Sequence, residues 1–298
     1  MPTPRPYARR LSVVTVSLGL AAVGAMPLLA QTRAPSARDN SATDSGAALP
    51  RGARHALEQP GVRWSSRATP HVISYAKRGS ASERRLRANA AAAERAVAST
   101  LRWLGASDSA GTIRLFFVDS RDEMVPLTSA RTAGWSLTDE GTAFLVAGGS
   151  VSPGIRHEVA HLLSWRLWGA PGGVWLSEGV ASYAPGRCRG YAVEDIAAAL
   201  DRAGALVPLD SLRQRFVFDG DEGTVHYLQA ASLVAYVDQT YGRRRLRAFW
   251  RGGLSGVKRT LGIDAATLEK RWRATVARRT PSATWAAMSA RIRARGCE

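Results

Sequence analysis

Residues 157–161 read His-Glu-Val-Ala-His, and residues 175–183 read Trp-Leu-Ser-Glu-Gly-Val-Ala-Ser-Tyr. Between them lies Gly169-Ala-Pro-Gly-Gly173, a run that stops a helix and turns the chain. Residues four apart stand one above the other on a helix face, so the imidazoles of His157 and His161 can reach one ion. Glu158 follows the first histidine and projects beside that ion, where it can take a proton from water. In a chain with five histidines this motif arises by chance about a few times in a thousand such sequences. Ser152-Pro153 reads as the start of its helix, a hydroxyl cap followed by proline at the first helical position. The helix is expected to run to about Trp168.

An ion held for chemistry needs a third protein ligand and an open position. Glu178 is the candidate, on a short helix from near Val174 that stops before Pro185-Gly186. A glycine- and proline-rich turn between adjacent helices lets the second pack back on the first. A carboxylate inside an apolar stretch is also poorly placed for solvent. The candidate metal set is therefore His157, His161 and Glu178. A third helix, expected from Thr224 to Tyr241 and ended by Gly242, carries Tyr227. Its spacing to Ala231, Val234 and Tyr241 equally fits a core tyrosine. His226 is an alternative to it in the site, or a helix-start residue.

The segments HEVAH and WLSEGVASY resemble the gluzincin zinc metallopeptidases, above all the M1-type aminopeptidases and the related peptidase-MA-like family. The helix Tyr227–Gly242 is similar to that family's tyrosine-led helix. The resemblance implies a thermolysin-like zincin domain over 67–298 that binds one Zn2+ per chain and hydrolyses peptide bonds in peptide or protein substrates. It implies Glu158 as general base and Tyr227 as hydrogen-bond donor to the reaction's oxyanion. It also makes Gly141–Ala147 the edge strand along which a peptide lies. The GxMEN segment of the aminopeptidases is absent, with Asp139-Glu-Gly-Thr-Ala-Phe in its region. Ser182 stands four residues after Glu178, where thermolysin-like enzymes can carry an acidic group that tunes a ligand. The alternative to a peptidase is a catalytically inactive protein of this fold that binds peptides or anionic cell-envelope polymers.

Upstream of the motif, His71–Tyr75 and Thr112–Val118 read as strands, and Ser82–Leu104 carries alanines and leucines at helical spacing. The fold class expected is α+β. A small α/β lobe over 67–150 with an edge strand precedes a mostly helical lobe over 151–298.

At the N-terminus, Arg5, Arg9 and Arg10 precede an apolar run from Leu11 to about Ala30. This is the pattern of a signal peptide over 1–30, with small-residue exits at Ala25 and Ala30. It predicts export to the periplasm or beyond; the alternative is an uncleaved signal anchor, because the run is nearly long enough to span a membrane. Residues 31–66, rich in Ser, Ala, Arg, Pro and Gly, are expected to form a disordered linker.

The net charge of +17 is carried almost wholly by arginine. It fits either an anionic partner such as a cell-envelope surface or a general arginine bias. With no nucleic-acid motif in the chain, no nucleic-acid partner is expected. Arg243–Arg251 (RRRLRAFWR) reads as an amphipathic helix or an anionic docking face. Cys188 and Cys297 are the two cysteines, and in an exported chain they either pair or remain two thiols. Oligomeric state is not readable from these patterns.

Overall fold

The computed structural model describes residues 49–107, 111–149, 153–184, 186–295 and 297. The signal segment expected over 1–30 and the linker residues before 49 lie outside the described residues, as does Ser152. The first half of the chain runs α1 (Arg51–Leu57), β1 (Trp64–Ala68), β2 (Val72–Lys77), α2 (Ala81–Leu104), β3 (Ile113–Val118), α3 (Val125–Thr128), β4 (Gly134–Leu137) and β5 (Thr142–Val146). Then come α4 (Ile155–Trp168), α5 (Val174–Tyr183), the short hairpin β6 (Arg187–Cys188) and β7 (Tyr191–Ala192), and α6 (Val193–Arg202). The remaining helices are α7 (Leu209–Gln214), α8 (Gly220–Tyr241), α9 (Arg243–Gly252), α10 (Val257–Leu261), α11 (Ala265–Ala277) and α12 (Trp285–Arg295). The described chain is thus α+β, a mixed five-stranded sheet followed by a mostly helical part.

The sheet order is β1-β2-β3-β5-β4, with β2, β3 and β5 parallel and the two outer strands antiparallel to their neighbours. Every residue of β3 is buried, Arg114 included, and the strand is otherwise apolar because both faces of a central strand are covered. Alternation divides them. Leu115 and Phe117 join the larger core, with Leu86 and Val97 of α2 and Val159 and Leu163 of α4. Phe116 and Val118 face the other way, with Ala53, Ala56, Met124 and Leu127. Phe116 sits at the centre of that second layer, stacked on Tyr75 (4.5 Å) and Phe144 (5.1 Å) and edge-on to Trp64 (5.2 Å).

Four expectations need correcting. The linker expected over 31–66 gives way to folded chain: α1 lies inside it and β1 begins in it. Ala53 and Ala56 are fully buried, and the Trp64 indole N–H donates to Ala56 O at 2.9 Å. Their small side chains let α1 close the aromatic face of the sheet, a packing gain that local composition does not record. The folded region therefore starts earlier than 67.

Gly141–Ala147, expected as the edge strand, contains an interior strand. β5 pairs with β3 on one side and with β4 on the other, so β4 is the edge. The continuous burial from Thr142 to Leu145 is that of a strand covered on both faces, and β4 is too short and mixed to leave a periodic signal.

The helix carrying the histidines starts at Ile155, with Gly154 at its N-cap, so Pro153 precedes the helix instead of opening it. The first helical bond runs from Glu158 N–H to Gly154 O (3.0 Å). α8, by contrast, starts earlier than the expected Thr224, at Gly220, where Asp221 and Glu222 face the positive end of the helix dipole.

Helix α9 holds the C-terminal end of α4, the helix that carries His157 and His161. Arg247 and Arg251 of α9 donate to Leu167 O (2.7 Å) and Trp168 O (2.6 Å), and the Trp250 indole donates to Gly169 O (2.8 Å). These are the carbonyls that the end of α4 would otherwise leave unpaired. Arg243 pairs with Asp238 and lies 4.1 Å over the Trp103 ring. The RRRLRAFWR segment is thus an amphipathic helix that buries Leu246, Phe249 and Trp250 and commits three of its arginines to the fold. Cys188 and Cys297 form a disulfide that ties the chain after α12 to the hairpin following α5.

Candidate metal centre

His157 and His161 stand one turn apart on α4, their rings 4.7 Å apart and nearly perpendicular. Their Nε2 atoms are 3.1 Å from each other. Glu178 enters from α5, its Oε2 lying 3.2 Å from His157 Nε2 and 3.3 Å from His161 Nε2. One potential ligand atom from each residue lies within 4.8 Å of the others, a cluster that could hold a metal ion. The 169–173 turn achieves what the sequence suggested: it brings α5 back over the histidine face. Gly179 then lets α5 sit tightly on α8, because a Cβ there would stand 2.8 Å from Ala230 O.

His161 and Glu178 are buried, while His157 is half-buried and marks the accessible side. Burial by itself would raise the Glu178 carboxyl. The two imidazoles beside it outweigh that effect and hold it well below the usual carboxylate range. The group is therefore an anion aimed at two imidazole nitrogens, a donor set suited to a divalent cation and costly to bury without positive charge.

Two serines that sequence reasoning missed complete the arrangement. Ser177 Oγ lies 3.0 Å from His161 Nδ1. When Nδ1–H donates to that oxygen, the Nε2 lone pair is directed into the cluster. Ser177 directly precedes Glu178, so one turn of α5 supplies both a candidate ligand and the group that orients another.

The second serine is Ser136 on β4, whose Oγ donates to Glu158 Oε2 at 2.6 Å. Gly134, two residues earlier on the same strand face, is equally involved: a Cβ there would overlap the Glu158 carboxylate. The edge strand thus grips the glutamate of the motif. No signal in the sequence pairs residues 134–136 with 158, because β4 was not recognisable as a strand.

Tyr227 comes from α8, and its ring centroid is 5.9 Å from that of His157. Burial, together with the carboxylates of Glu178, Glu158 and Asp219, pushes its phenol well above the usual range. The hydroxyl is consequently a proton donor throughout the neutral range. His226 takes no such position. It is buried in the second turn of α8, and its Nδ1 accepts a hydrogen bond from Val217 N–H at 3.0 Å. Burial lowers its pKa, in keeping with a neutral acceptor. His71 is engaged by Glu94 and His55 by the Pro126 carbonyl (2.9 Å), so neither joins the cluster.

Residues 135–278 match the family model of the Peptidase MA superfamily. This stretch is a peptidase-MA-like zincin domain. It runs from the edge strand that grips Glu158 to the end of α11, and so contains every residue of the cluster described above. A domain of this kind points to metallopeptidase chemistry and to peptides or proteins as substrates. A comparison with curated proteins finds no match.

Proposed function

We propose that the protein is an exported, zinc-dependent peptidase with a thermolysin-like catalytic domain. The observation that carries this reading is the triangle formed by His157 Nε2, His161 Nε2 and Glu178 Oε2, with edges of 3.1, 3.2 and 3.3 Å. A tetrahedral ion with ligands at about 2.0–2.1 Å spaces its donors about 3.3 Å apart, so the three atoms fit zinc without rearrangement. These three residues would hold one zinc ion per chain. When bound, zinc supplies Lewis acidity that makes water easier to deprotonate and a carbonyl more electrophilic.

The chain's own residues do the rest. Glu158, held by Ser136 and backed by the Gly134 main chain, takes a proton from the attacking water and delivers it to the leaving amine. Tyr227, kept protonated by burial and by the surrounding carboxylates, donates to the carbonyl oxygen as negative charge develops on it. β4 is the edge of the sheet, and its free side is where an extended peptide can lie. A cleaved signal peptide over 1–30 would place this activity outside the cytoplasm, and the basic surface would favour an anionic envelope.

The test is elemental analysis joined to a peptide-library cleavage assay on the purified protein. About one zinc per chain, with cleavage that a chelator abolishes and zinc restores, is the expected result. A zinc-loaded protein inert towards the whole library would overturn the enzymatic reading in favour of a binding protein.

A further inference from the structure

Phe218 is 51% exposed, the most exposed large apolar side chain among the described residues. It lies on the loop between α7 and α8, and this loop is fixed at three points. Val217 N–H donates to His226 Nδ1 (3.0 Å), which anchors the main chain. Gly223 of α8 lets that main chain lie directly on the helix, since a Cβ there would stand 2.7 Å from the Phe218 carbonyl carbon. Phe216 packs edge-on against Tyr227, with centroids 5.2 Å apart. The Phe218 ring in turn meets Phe216 edge-on at 5.2 Å and lies 6.5 Å from Tyr227.

A row of aromatic rings therefore leads outward from the metal cluster: His157, then Tyr227, then Phe216 and Phe218. The last of them is held in solvent by its own main-chain anchors. An exposed phenylalanine so held forgoes burial, and apolar surface presented beside a reactive centre marks a place for ligand. Aromatic rings favour edge-to-face or offset-stacked contact with another ring, a contact that the open face of Phe218 can still make. We propose that Phe218, backed by Phe216, is an apolar subsite that selects peptides with a large apolar or aromatic side chain next to the bond to be cut. Successive residues of a peptide stand ~3.8 Å apart, and the Phe218 ring centroid is 6.5 Å from that of Tyr227, so a side chain next to a carbonyl bound by Tyr227 comes within reach of Phe218. The inference rests on the peptidase reading for the position of that bond.

Its test is a binding measurement that needs no turnover. Fluorescein-labelled Gly-Ser octapeptides carrying a single Phe or a single Ala are titrated against the full chain in a Glu158→Gln background. Covering the exposed half of the Phe218 ring predicts that the Phe peptide binds about fivefold more tightly. Adding Phe218→Ala should erase that ratio without lowering the melting temperature. Val125→Ala, which removes an exposed apolar group from α3, should keep it. Equal binding of the two peptides, or an unchanged ratio in Phe218→Ala, overturns the subsite. Cleavage without this preference sinks the subsite alone, whereas preference without any cleavage sinks the peptidase reading alone.

Discussion

Ser136 Oγ donates to Glu158 Oε2 at 2.6 Å, so the Glu158 carboxylate is held from the edge strand as well as carried by its own helix. A hydrogen bond to a charged group contributes about 1.5–3 kcal/mol, and here it also fixes direction. Ser136→Ala should lower kcat about tenfold with little change in KM, because it affects where the carboxylate points and not whether peptide binds. Gly134→Ala should be worse, about 10²-fold, since the added methyl forces the carboxylate aside. Both variants should keep their metal. Steady-state kinetics alongside metal content checks this, and Ser136→Ala kinetics identical to wild type would leave the contact without a role.

The metal set makes a graded prediction. His161→Ala removes a ligand and should abolish zinc retention. Ser177→Ala leaves all three ligands but frees the His161 ring, and should weaken zinc binding about 10- to 100-fold. Competition with a chelator of known affinity measures both. Zinc retained in full by His161→Ala would remove that residue from the set.

The two parts of the site differed in how far the sequence revealed them. His157, His161 and Glu178 were legible because helical periodicity and one glycine-rich turn determine how their faces meet, and both are local properties. Ser177 lay in the quoted segment, yet its partner is across the turn on α4, and only the packing of two helices reveals the contact. Ser136 and Gly134 were further out of reach. Their strand is four residues long with no alternation, and the resemblance put the edge at Gly141–Ala147, which holds the interior strand β5. Helix α1 was lost for a related reason: Ala53 and Ala56 matter only because an aromatic sheet face waits for them.

Tyr227→Phe should retain zinc and fold while turnover falls by about 10²- to 10³-fold, the loss expected for one donor to an oxyanion. The ring itself packs against Phe216, so phenylalanine preserves the aromatic contacts and removes only the hydroxyl. Turnover equal to wild type would leave Tyr227 with packing as its role.

The Cys188–Cys297 disulfide closes a loop of sequence separation 109 and ties the C-terminal helix to the hairpin after α5. Chain entropy assigns such a crosslink about 2–5 kcal/mol of stability. Cys188→Ser with Cys297→Ser should therefore lower the denaturant midpoint markedly while the metal affinity of folded protein holds, because neither cysteine belongs to the metal cluster. Peptide mapping without reductant checks the pairing itself; two alkylatable thiols in the purified protein would refute it.

The variant that separates a peptidase from an inert zinc protein is Glu158→Gln. Glutamine keeps the size and shape of the side chain, and its amide can still meet Ser136, so zinc content and thermal stability should barely change. What it lacks is a basic oxygen able to take a proton from water. If hydrolysis runs through this carboxylate, activity should fall by at least about 10²-fold, as for the loss of a general base. The same substitution leaves peptide binding open to measurement, so weakened catalysis can be told from weakened binding in one preparation. Wild type and Glu158→Gln of equal activity would mean that the chemistry lies elsewhere. A wild type that binds zinc and peptide but cleaves neither Phe- nor Ala-containing substrates would instead make the site a receptor built on a peptidase frame.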